Sequence, residues 1–265
     1  MDDSPEVRLH PTAVVSPRAE LGPGVRVGCY AVIGPDVRLG PRVSVGSHAT
    51  IGGRTTIGEG SRVFPFASVG VTPQDLKYKG EATELTIGRE NTIREYANIA
   101  TGTASGAGVT RIGDGNLIMA YSHVAHDCQV GSRCVLANAV QLAGHVIIED
   151  LAAISGGVGI HQFARIGALS LTAANSAVLQ DVPPFSLVVG APARIKGLNA
   201  VGLRRNGFEK MDILRLKEAF RTLFDRSRRL QDRLTALEGQ PDQAVQQLIH
   251  FVRSSTRGIC GLADR

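Results

Sequence analysis

An aliphatic residue recurs every six positions through most of this 265-residue chain. It stands at Leu9, Val15, Leu21, Val27, Ile33, Leu39, Val45, Ile51, Ile57, Val63 and Val69, then at Ile87, Ile93 and Ile99. The series starts again at Ile112 and runs through Ile118, Val124, Val130, Leu136, Leu142, Ile148, Ile154, Ile160 and Ile166, slips to Thr172 and recovers at Val178. A period of six fits neither the ~3.6 residues of a helical turn nor the alternation of one long strand. It fits a left-handed parallel β-helix of hexapeptide repeats, a three-sided prism in which each hexad gives one short strand and one corner. The 26 hexads, at three per coil, make close to nine coils. With strands stacked ~4.8 Å apart, the prism is roughly 40 Å long.

Composition follows from that architecture. Glycine directly follows the aliphatic position at Gly22, Gly28, Gly34, Gly40, Gly46, Gly52, Gly58 and Gly70, which assigns it to turning the corner. A narrow interior has no room for tryptophan, and the chain has none. Glycine never recurs every third residue, so collagen is excluded, and 43% hydrophobic residues exclude a disordered chain. Four cysteines (Cys29, Cys128, Cys134, Cys260) form no CxxC pair and read as free thiols of a reducing compartment. The acidic start Met1–Glu6 lacks a secretory leader pattern, and no stretch approaches ~18 apolar residues. The expectation is a soluble, cytoplasmic protein with no membrane span.

Two inserts interrupt the repeat. Residues 71–84 (VTPQDLKYKGEATE) keep the phase, which suggests that they replace one full coil between Val69 and Ile87. Thr101–Thr110 (TGTASGAGVT) shifts the phase by one. Inserts in a solenoid gather on one face, often the binding face. After Val178 the pattern stops, and Asp181-Val-Pro-Pro184 and Gly190-Ala-Pro192 are breakers that close the prism. The expected division is a β-helix over 1–190 and a helical domain over 191–265. Helical spacings appear at Leu216, Phe220, Leu223 and Phe224, at Leu230, Leu234 and Leu237, and at Leu248, Phe251 and Val252. Residues 194–265 hold 15 Lys+Arg against 8 Asp+Glu, which points to an acidic partner. Basic patches interleaved with aromatics are absent, so nucleic acid is not expected.

An 18-residue coil stacks His126, Gly144 and Gln162 in one column, ~5 Å apart. His123, His145 and His161 lie beside it, so four of seven histidines fall in three coils. A histidine works as a general base near neutral pH, and Asp127 can orient it. Gly144 lets a ligand approach its backbone N–H, as an oxyanion site requires. No Ser or Cys shares the column, which favours direct transfer over a covalent intermediate.

These residues also carry a family likeness. SHVAHDC (122–128), LANAVQLAGHV (136–146), HQFARIGA (161–168), QDVPPF (180–185), QDLKYKGE (74–81), GLRRNGF (202–208) and RSSTRG (253–258) resemble the UDP-N-acetylglucosamine O-acyltransferases of lipid A biosynthesis. The resemblance runs from the first hexads to the C-terminus. It implies a homotrimer with active sites between prisms, and transfer of a 3-hydroxyacyl chain from acyl carrier protein to the sugar 3-hydroxyl. By position it makes His126 the general base, Asp127 its partner and the Gly144 amide the oxyanion donor. It assigns Asp75, Lys77, His123, His145, Gln162, Asn199 and Arg205 to the UDP-sugar, and Ala174 to the acyl channel. It implies no cofactor and no metal, and fits the basic helical region to the acidic carrier.

The chain departs from the family pattern at Ala100-Thr101, where His-Arg is common, at Val201, at Asn206, and at Ala173-Ala174, where a glycine pair is expected. The added methyl at Ala174 bears on acyl length, and the other changes bear on the acceptor, with a 3-amino UDP-sugar as the alternative. Two rival classes fit parts of the sequence. One is a zinc hydratase of the γ-carbonic anhydrase type, which has no use for the QDLKY insert. The other is a non-catalytic paralogue that binds sugar nucleotide or carrier alone.

Overall fold

The computed structural model describes residues 5–225 and 227–262. Met1–Ser4, on which the reading of the N-terminus partly rests, lie outside the described residues. Every hexad position from Leu9 to Val178 falls in a strand of two to four residues. The strands form three parallel sheets, one on each side of a left-handed prism. Side one begins with Arg8–Leu9, side two with Val14–Val15 and side three with Glu20–Leu21. Each strand pairs with its counterpart one coil on, as Val124 does with Leu142 and Leu142 with Ile160. The hexad side chains point inward, and Ile33, Ile57, Ile93, Ile118, Leu136 and Leu142 are fully buried. Short strands suffice because neighbouring coils, not strand length, supply the hydrogen bonds.

The corners are turned differently from the expectation. The left-handed residue comes three positions after the inward aliphatic one. At 16 described positions, with φ of 55–67°, it is not glycine. Glycine next to the aliphatic residue serves another need. A Cβ on Gly22, Gly28, Gly40, Gly46 or Gly58 would lie 2.6–2.8 Å from backbone or proline atoms of the next coil. These glycines let coils stack closely, whereas Tyr30, Arg42, Asp127 and His145 carry the turn.

The first insert also needs correction. Ser68–Val71 and Glu84–Ile87 lie on sides two and three of one coil, and Thr86 pairs with Thr56, 30 residues earlier, where other coils take 18. The insert therefore swells a coil by 12 residues and replaces none. The second insert leaves the same corner, between sides two and three, one coil later. In the next coil that corner is turned by residues 125–128. Both inserts are thus stacked beneath the histidine column.

Side one continues beyond Thr172. Ser186–Val189 pairs parallel with Leu171–Thr172, and Arg194–Leu198 returns antiparallel on it. Four helices follow: α1 (Ala200–Arg205), α2 (Lys210–Leu223), α3 (Leu230–Glu238) and α4 (Gln243–Arg253). They bury Leu216, Phe220, Leu223, Leu234, Leu237, Leu248, Phe251 and Val252, all from the helical spacings in the sequence. Asp242 caps α4 by accepting from the Ala244 and Val245 amides. The tail is bolted to the last coil. Buried Asp181 accepts from the Arg165 amide (2.9 Å) and the Ser255 hydroxyl (2.7 Å), and the Arg165 guanidinium sits 4.3 Å over the Phe251 ring. No helix among the described residues is long and apolar enough to cross a membrane.

Candidate active site

The corner after His123–Val124 places His126 and Asp127 side by side. Asp127 takes the left-handed turn (φ 60°), which aspartate tolerates, and its amide donates to Thr110 Oγ1 at 2.9 Å. Its carboxylate is almost wholly buried. Oδ2 lies 2.9 Å from His126 Nδ1 and accepts the Thr103 hydroxyl at 2.6 Å, while the Thr103 amide donates at 3.1 Å. Burial works against ionisation of Asp127, but the hydrogen bonds from Thr103 and His126 outweigh it and hold the carboxyl below its ordinary value. An ionised carboxylate only accepts, so His126 Nδ1 carries the proton and Nε2 is left with its lone pair.

One coil on, the His126 ring lies over Gly144. A Cβ there would sit 2.6 Å from Cε1 and 2.7 Å from Nε2 of the imidazole. Glycine at this position therefore gives His126 its place. No hydrogen bond from the Gly144 amide occurs among the described residues, whereas its neighbours Ala143 and His145 donate to Ile160 and His126 carbonyls. His145 turns the same corner, with Nε2 4.0 Å from Asp127 Oδ2, its ring edge-on to His126 and stacked on Phe163 at 4.5 Å. Burial lowers the His145 pKa, against the charges of Asp127 and Asp75. His123 points out from side two, with Nδ1 2.9 Å from Asn98 Oδ1, and burial lowers its pKa too.

Other predicted residues fall into two groups. Asp75 and Lys77 ride on the first insert, where Asp75 Oδ1 accepts the Lys77 amide at 2.9 Å, and Gln162 is exposed on the column. These share the corner of the histidine column. Ala174 follows a side-one strand and so lies on the corner between sides one and two. Asn199 is 8% exposed and committed to structure, capping α1 through the Gly202 amide and donating to the Leu169 carbonyl. Arg205 ends α1, exposed, and no hydrogen bond or ion pair links it to the dyad among the described residues. His161 bonds the tail, with Nδ1 2.8 Å from the Arg257 guanidinium.

Sequence reasoning missed Thr103, Asn98 and Phe163. Coil counting could have found Thr103, since the second insert sits one coil beneath Asp127 on the same corner. Donor atoms of His126, Asp127 and His145 all lie within 4.8 Å, a set that could hold a cation, but Asp127 Oδ2 and His126 Nδ1 already bond each other and Thr103. Burial pushes the Cys128 thiol up to about 12, and it donates to the Ala143 carbonyl, so it offers no thiolate nucleophile.

Comparison with known proteins agrees with this geometry. The family model described as UDP-N-acetylglucosamine O-acyltransferase, domain 2, matches residues 181–260, and that of the bacterial transferase hexapeptide matches 18–53, 30–65 and 109–144. The acyl-(acyl-carrier-protein)–UDP-N-acetylglucosamine O-acyltransferase of Burkholderia mallei is 54% identical over 258 residues, covering 95% of this chain and 98% of its own. The one from a Janthinobacterium species is 49% identical, with the same coverage. The UDP-N-acetylglucosamine acyltransferase structure from Campylobacter jejuni superposes with a TM-score of 0.92 at 43% identity, over 97% of this chain and 100% of that one. The Francisella novicida enzyme gives 0.93 at 37% identity, over 96% and 94%. The chain belongs to the UDP-N-acetylglucosamine O-acyltransferase family.

Proposed function

We propose that this protein transfers a 3-hydroxyacyl chain from acyl carrier protein to the 3-hydroxyl of UDP-N-acetylglucosamine, the first step of lipid A biosynthesis, with His126 as general base. The observation that carries the assignment is the His126–Asp127 pair at 2.9 Å, seated over Gly144. His126 Nε2 takes the proton of the sugar hydroxyl as its oxygen attacks the carbonyl of the carrier thioester. The Gly144 amide, which has no partner among the described residues, donates to the oxyanion that forms. Collapse breaks the carbon–sulfur bond, and the leaving sulfur takes the proton from His126. Asp127 stabilises the imidazolium between the two proton transfers.

Asp75, Lys77, His123, His145, Gln162, Asn199 and Arg205 contact the sugar nucleotide in this reading, and Ala174 bounds the acyl channel. A homotrimer follows from where these residues lie. The histidine column and Ala174 occupy different corners of one prism, so a single chain cannot bring them together, and a neighbouring copy supplies the second corner. Near Ala174 that corner carries only Ala139, Gly157 and Asn175 at its turns, which leaves space for a chain between prisms. The basic helices receive the acidic carrier. Four free cysteines fit action in the cytoplasm.

His126→Ala should lower turnover by at least ~10²-fold without changing the fold, measured by mass spectrometry of the acylated sugar nucleotide. Unchanged turnover would discard the base assignment. The same assay, run with a series of acyl chain lengths and with the 3-amino acceptor, fixes donor and acceptor.

A further inference from the structure

We propose that Thr103, on the second insert, is a positioning residue for the acyl transfer, gripping the Asp127 carboxylate so that it can orient His126. The proposal rests on the dyad described above and explains what the second insert is for. Thr103 is 2% exposed and gives Asp127 two donors, its hydroxyl to Oδ2 at 2.6 Å and its amide to Oδ2 at 3.1 Å and Oδ1 at 3.2 Å. The insert holds Thr103 in that pose. Its carbonyl accepts from the Gly106 and Gly108 amides, both at 3.1 Å, and Ser105 Oγ lies 3.2 Å from its hydroxyl oxygen. Gly106 packs directly on the carboxylate, since a Cβ there would come within 2.5 Å of both oxygens. The insert is therefore a cap that seals the far side of Asp127 from water and leaves Oδ2 facing His126.

The titratable groups around this carboxylate are His126 on its own corner, His145 from the next coil and the buried Cys128 thiol, with Asp75 acting on His145 from the first insert. Thr103 stabilises the carboxylate form, so its removal makes the dyad bind a proton more tightly, whichever member holds it. The acid limb of the pH–rate profile then moves to higher pH.

The test compares Thr103→Val, Thr103→Ser and Gly106→Ala in the full-length enzyme, with thermal melts to establish folding. Thr103→Val should lower kcat roughly tenfold, the worth of one charge-assisted hydrogen bond, and shift the acid limb upward, while KM for the sugar nucleotide stays within about twofold. Thr103→Ser should restore both, and Gly106→Ala should move the limb in the same direction. If Thr103→Val does not fold, the limb of Gly106→Ala decides. A folded Thr103→Val with normal kcat and an unmoved limb overturns the proposal, as do equal losses in Val and Ser with no pH shift. If His126→Ala retains turnover, the base assignment itself has failed, which is a different result.

Discussion

Two corners of the same prism have one backbone and opposite chemistry. Along the corner between sides one and two, Tyr30, His48, Phe66, Tyr96 and Tyr121 stack ring on ring at 4.9–5.2 Å. Along the corner between sides two and three, the same left-handed position carries Asp127, His145 and Phe163 above two inserts. The turn residues of both corners have φ near 60°. The repeat therefore supplies equivalent sites at regular heights, and what each edge does is decided by side chains and by where extra residues are let out.

Substitutions on the two edges should separate sharply. Gly144→Ala puts a methyl into the His126 ring, and a displaced base costs on the order of 10²-fold in kcat, with KM less affected. Phe66→Ala, on the aromatic edge, should leave turnover within about twofold and cost about 1 kcal/mol per lost stack, read in a thermal melt. If Phe66→Ala were the more damaging to turnover, the division between edges would be wrong.

A smaller effect concerns pH. Folding lowers the pKa of both His123 and His145, chiefly through burial. Below the ordinary histidine value of about 6.5 the unfolded chain then binds more protons than the folded one, so stability rises with pH up to that value. The melting temperature should fall by a few degrees as pH drops from about 7 to 5.5, and less so in His123→Gln or His145→Gln. A flat profile in the parent protein would contradict the burial described for these rings.

The prism was legible because one inward residue per hexad is a simple physical demand, and Leu9 to Val178 meet it. The use of glycine was misread: sequence spacing shows that glycine recurs but not whether it relieves φ or a clash between coils, and Gly40 and Gly46 relieve a clash. The dyad and its glycine could be placed by coil counting alone. The grip of Thr103 was hidden because its insert breaks the count. The structural use of Asn199 was hidden because capping depends on where α1 begins. The hairpin of Ser186–Val189 and Arg194–Leu198 lay in a stretch read as breakers, where Gly190 and Pro192 make its turn.

The central claim is that catalysis joins two unlike edges from two copies. Co-expressing His126→Ala with Ala174→Trp, which fills the opposite corner, tests it directly. Each variant alone should be inactive. In mixed assemblies a site can take an intact histidine corner from one protomer and an intact channel corner from its neighbour. Random mixing should then restore about a quarter of the parent activity. Mixed assemblies no more active than the two variants alone would contradict the account and return the site to a single chain.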